Sequence, residues 1–121
     1  MLMTNEEIII CGLIRQTKRF RELNRVIRLV PDDFIPGVTR DAFRFLMARL
    51  TLNQSLDPGI IYRSDNASFD QFDSQIPGLN LFCIWATEQG ADEKLKTAME
   101  DVKSESIARN SKGKLKTLIS R

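Results

Sequence analysis

The stretch Leu29-Val30-Pro31-Asp32-Asp33-Phe34-Ile35-Pro36-Gly37-Val38-Thr39-Arg40-Asp41-Ala42-Phe43-Arg44-Phe45-Leu46-Met47-Ala48-Arg49-Leu50 starts as a turn and ends as a helix. Pro31 and Pro36 are excluded from a helix interior, because each lacks an N–H and crowds the preceding turn. Asp32 and Asp33 suit a turn whose carboxylates bond nearby backbone amides. Phe34 and Ile35 read as an apolar pin within polar punctuation. Thr39 reads as the N-cap of the helix that follows. Phe43, Leu46, Met47 and Leu50 recur at i, i+3, i+4 and i+7, one helical face, with Arg40, Asp41, Arg44 and Arg49 on the wet side. A helix with a single apolar stripe, entered through a pinned turn, needs other helices to cover it.

Working upstream, Thr4 and Glu7 form a capping box. Ile8, Ile9, Ile10, Leu13 and Ile14 then predict a central helix, apolar on nearly every side. Its β-branched residues lower intrinsic propensity, so burial must hold it. A second helix is predicted over 15–28, after a break near Gln16-Thr17. Phe20, Leu23 and Ile27 line one side of it, and Lys18, Arg21, Arg25 and Arg28 line the other. The basic stripe fits contact with nucleic acid or an acidic partner, although a solvated face is its ordinary meaning. It has no interleaved aromatic on which bases would stack.

Downstream, 51–78 is the least regular part. Asp57 caps a short helix begun by Pro58 and carrying Ile60 and Ile61, and Ser68 reads as the cap of another holding Phe69 and Phe72. Asp65, Asp70 and Asp73 lack the spacing of a calcium loop. Leu79 to Glu88 reads as a helix stopped by Gly90, and Leu95, Ala98, Met99 and Val102 stripe the last helix. The two make an αα-hairpin with more apolar surface than either arm hides. Leu81, Phe82, Trp85, Leu95, Met99 and Val102 are the candidate self-association face, although the ordinary meaning of Trp85 and Met99 is core. Ser111-Lys112-Gly113-Lys114 reads as a hinge in a basic tail. The expected organisation is all-α: a small globular helical head over 1–78, a C-terminal hairpin over 79–110, and a tail or linker start over 111–121.

Composition narrows the function. At 121 residues, 42% hydrophobic and 28% charged, the chain has the make-up of one globular domain. It contains no histidine, which excludes His-based triads and His-ligated zinc. Cys11 and Cys83 sit among apolar residues and read as reduced core thiols. There is no P-loop motif and no glycine-rich phosphate cradle. The start, Met1-Leu2-Met3-Thr4-Asn5-Glu6-Glu7, is unlike a secretion signal, and no apolar run spans a bilayer, so a cytoplasmic protein is expected. No catalytic, metal or cofactor residue stands out.

In order, these stretches resemble the N-terminal domain of DnaB-type bacterial replicative DNA helicases. The likeness is carried by Glu6, Ile9-Ile10, Gly12 and Leu13-Ile14, with Cys11 where glycine is usual. It continues through Val30-Pro31-Asp32-Asp33-Phe34, then Arg40, Phe43 and Leu50, with Thr39 and Ala42 in place of the family's His and Ile. Leu56-Asp57 with Ile60, Gly78-Leu79, and Val102, Ser106 and Arg109 complete the set. The resemblance implies a helical head and hairpin that pair into a collar on a hexameric ring and dock primase and a helicase loader. DNA contact would be indirect. The ATPase motor of such helicases is a separate domain, and these 121 residues hold none. Two other expectations stand beside it: a stand-alone adaptor, loader or inhibitor imitating that domain, and a small nucleic-acid binder using the basic stripe and the basic tail.

Overall fold

The computed structural model describes residues 4–73 and 91–119. Six helices occur among the described residues, and no strand: α1 (Asn5–Arg15), α2 (Thr17–Ile27), α3 (Val38–Thr51), α4 (Pro58–Ser64), α5 (Asn66–Asp73) and α6 (Ala91–Ile119). A 3-10 turn, Pro31–Asp33, links α2 to α3. The all-α class expected from the periodicity is therefore the observed one.

α1 is the axis of the fold. Its capping box is formed: the Glu7 amide donates to Thr4 Oγ1 at 3.2 Å, and the Thr4 amide donates to Glu7 Oε1 at 2.9 Å. Six consecutive residues, Ile8 to Leu13, are buried. An α-helix covers consecutive residues only when neighbours pack around most of its circumference. α6 lies along one side, and α2 and α3 cover others. Gly12 sets how closely α6 approaches, since a Cβ there would come within 2.5 Å of Leu95 Cδ1. Cys11 is fully buried, whereas Cys83 lies outside the described residues.

α1 ends and α2 begins at Gln16, where the chain leaves helical geometry, as expected from the break near Gln16-Thr17. α2 closes through Arg28 in the left-handed region, φ 61°. A left-handed L-residue costs roughly 1 kcal/mol. Asn24 offsets part of that: its Oδ1 accepts from the Leu29 amide at 2.7 Å. The turn expected from the two aspartates is present, with the Val30 amide donating to Asp33 Oδ2 at 2.8 Å.

Several local expectations are corrected. Gly37, not Thr39, is the N-cap of α3, and the Thr39 hydroxyl donates instead to Glu6 Oε1. Glu6 also accepts from the Ile35 amide at 2.8 Å, so this carboxylate ties the start of α1 to the entry of α3. Phe34 alone is the apolar pin: it is buried, while Ile35 is 57% exposed. Arg49 is not on the wet side; it is buried and donates from Nε to the Ser55 carbonyl at 2.8 Å. Asp65, not Ser68, caps α5, accepting from the Ser68 amide at 3.2 Å. Asp57 caps α4 as expected, through Gly59 and Ile60. The segment read as least regular thus holds two short helices, and Phe69 and Phe72 are buried. α6 runs on through Ser111-Lys112-Gly113-Lys114, where the sequence reads as a hinge. A single glycine costs a helix only about 1 kcal/mol, which good helix formers on either side offset.

The largest correction concerns α6. Leu95, Met99 and Val102 are buried inside the head, at 0%, 0% and 3% exposure, beside Ala98. They belong to the core formed with α1 and are not open for a second chain. Leu81, Phe82 and Trp85, the other half of the expected self-association face, lie outside the described residues, as does the 79–88 helix.

Candidate partner-binding surface

The basic stripe of α2 faces solvent. Lys18, Arg21, Arg25 and Arg28 are all exposed. The reason is local: Phe20 takes the buried face of α2, supported by half-buried Leu23 and Ile27, so positions 18, 21 and 25 turn to solvent. Arg19 adds a fifth exposed cation, and Glu22 is the one acid within α2. Among the described residues none of these five cations forms an ion pair; the salt bridges found are Arg44–Asp41 and Lys103–Asp33. Lys103 adjoins the end of the stripe, donating from Nζ to the Arg28 carbonyl at 3.0 Å.

Beside the stripe lies a feature the sequence did not reveal. A groove of about 270 Å³ runs between α2 and α3, lined by Phe20, Arg21, Asn24, Arg25, Met47 and Leu50. Met47 and Leu50 read from sequence as core positions of α3. They are half-buried, because opposite them α2 presents arginines and an asparagine rather than apolar side chains. A comparison of the two facing stripes holds the only sequence signal for it. The wall is long and cationic, and the floor is apolar.

A second cleft, of about 420 Å³, lies where the α1–α2 junction meets the loop before α4, between Ile14, Thr17 and Ser55 to Pro58. Among the described residues no group of three or more Cys, Asp and Glu side chains is placed to hold a metal ion. No helix among them is long and apolar enough to cross a membrane.

A polar constellation joins the 29–34 turn to α6. Asp33 accepts from the Ser106 hydroxyl at 2.7 Å and from Lys103 Nζ at 3.1 Å, and its backbone carbonyl accepts from Arg109 at 2.9 Å. Burial pushes the Asp33 carboxyl up, but the Ser106, Val30 and Lys103 hydrogen bonds and the Lys103 charge together hold it below the ordinary aspartate value. An ionised carboxylate that accepts three hydrogen bonds between a turn and a helix is a clamp, occupied inside the protein.

No family model, curated protein or solved structure matches the chain.

Proposed function

We propose that the chain is a non-catalytic domain of the replicative-helicase collar type, which assembles with its own kind and docks primase or a helicase loader during DNA replication. One observation carries the reading. Four of the motifs behind the DnaB likeness meet at the 29–35 turn: Glu6 from α1 accepts from the Ile35 amide, Arg40 from α3 donates to the Phe34 carbonyl at 2.6 Å, and Ser106 and Arg109 from α6 donate to Asp33. Matches scattered over the chain by chance have no reason to touch. In this reading the chain itself does no chemistry, and ATP is hydrolysed by a separate motor domain.

Self-association, on this proposal, falls to Leu81, Phe82 and Trp85, since the α6 stripe is already covered. That covering favours a second reading, a stand-alone adaptor or inhibitor that needs no twin and binds a helicase or primase directly. Affinity capture with the tagged chain from an extract of its own cell, read by mass spectrometry, tests both. Recovery of a full-length replicative helicase, primase or loader is expected, and recovery of none of them overturns both readings. Sedimentation velocity at tens of micromolar then separates them. Concentration-dependent association supports the collar, and a persistent monomer supports the adaptor.

A further inference from the structure

The groove between α2 and α3 is neither a small-molecule site nor a finished piece of core. Its volume of about 270 Å³ falls below the usual range of ligand pockets. On α3 the floor is one turn long, from Met47 to Leu50, and on α2 the wall is Arg21, Asn24 and Arg25 at i, i+3 and i+4. Such a slot takes one or two bulky apolar side chains presented from one face of a helix. Methionine on the floor adapts to differently shaped anchors.

The walls define the rest of the occupant. Arg21 and Arg25 are exposed and form no ion pair among the described residues, and Lys18 and Arg28 extend the same charge along α2. Guanidinium groups beside an apolar floor match carboxylates flanking an apolar anchor, and an arginine fork holds a carboxylate with two hydrogen bonds. We propose that this groove binds an acidic amphipathic helix of a partner protein, its apolar residues on Met47 and Leu50 and its carboxylates on Arg21 and Arg25.

Two other occupants fit less well. A nucleic acid would use the cations but leave the apolar floor idle. The ring of Phe20 is 1% exposed and offers no face for base stacking. A second copy of this chain could offer α5, which carries exposed Asp70, but Phe69 and Phe72, its apolar anchors, are already buried at 6% and 5%. The inference stands apart from the helicase reading, because the groove takes such a helix whether or not the chain works in replication.

The test is selection of a displayed random-peptide library on the intact chain, with the selected peptides titrated by fluorescence anisotropy. The expected winners carry two apolar residues three or four apart, flanked by Asp or Glu. R21E/R25E should weaken them at least roughly tenfold, the effect of reversing two contacting charges, and M47D should abolish binding. The arginines are exposed, so the double variant should keep the circular dichroism spectrum and melting temperature of the parent; M47D is the second, independent arm. No enriched peptide, winners without acidic residues, or affinity unmoved by R21E/R25E overturns the proposal. So does tight binding of oligo(dT) at low salt that R21E/R25E removes while no peptide is selected, since the stripe then serves nucleic acid.

Discussion

Ser106 and Asp33 lie 73 residues apart in the chain, and the Ser106 hydroxyl donates to Asp33 Oδ1 at 2.7 Å. With Lys103 on the other carboxylate oxygen, this contact fastens α6 to the turn between α2 and α3. Asp33→Asn keeps the shape but removes the charge and one acceptor. It should cost about 2 kcal/mol, the range for losing charged hydrogen bonds at a buried site. Urea denaturation followed by circular dichroism measures it. Ser106→Ala in the same background should add less than it does alone, because the two residues share one interaction.

The same carboxylate makes stability depend on pH. Its folded-state value is held below the ordinary one, so the folded chain binds this proton less readily than the unfolded chain does. The stabilisation is complete above the usual aspartate value, near pH 4, and fades as the pH falls through the lower folded value. Melting temperatures from neutral pH down to strong acid should drop in that window. The drop should be shallower for Asp33→Asn, and an equally steep fall in that variant would assign the acid sensitivity to other groups.

Gly12 faces Leu95, and the two helices approach closely there because glycine has no side chain. Gly12→Val drives branched carbons into a buried leucine and should destabilise the fold by about 2 kcal/mol. Leu95→Ala in the Gly12→Val background should recover part of it. Paired melts of the single and double variants show whether that one contact sets the spacing of α1 and α6.

Phe34 stacks on Phe43 with ring centroids 4.4 Å apart, and Phe43 meets Phe20 edge-on at 6.1 Å. Phe34→Ala should cost about 3 kcal/mol, the lower end for emptying a buried aromatic site. Its neighbour Ile35 is exposed. Ile35→Ala should change stability by no more than about 0.5 kcal/mol. Chemical denaturation of the two variants side by side tests whether the pin is one residue or two.

Much of what depends on residues near in sequence was legible, although the cap of α5 fell to Asp65 rather than Ser68 and α6 runs through the expected hinge. The Thr4–Glu7 box, the break at Gln16, the Asp57 cap and the aspartate turn each involve partners a few residues apart, and each is present. The exposed stripe on α2 was legible for the same reason, since helical periodicity sorts its cations from Phe20. Thr39 and Arg49 were misplaced because distant groups captured them: Glu6, 33 residues away, for Thr39, and the carbonyl of a loop folded back over α3 for Arg49. The groove escaped notice because it depends on which residues of α2 face Met47 and Leu50, and periodicity within one helix does not report its neighbour.

Sequence by itself determined that this chain is helical, that α1 is its centre and that α2 carries an exposed cationic stripe. Each follows from apolar period and caps, which act within a turn or two. Only tertiary packing decided that the stripe of α6 closes the head rather than facing a second molecule. An apolar stripe specifies that it must be covered, not by what; Gly12 and the Asp33 clamp supply the answer, drawing Leu95, Met99 and Val102 onto α1 of the same chain.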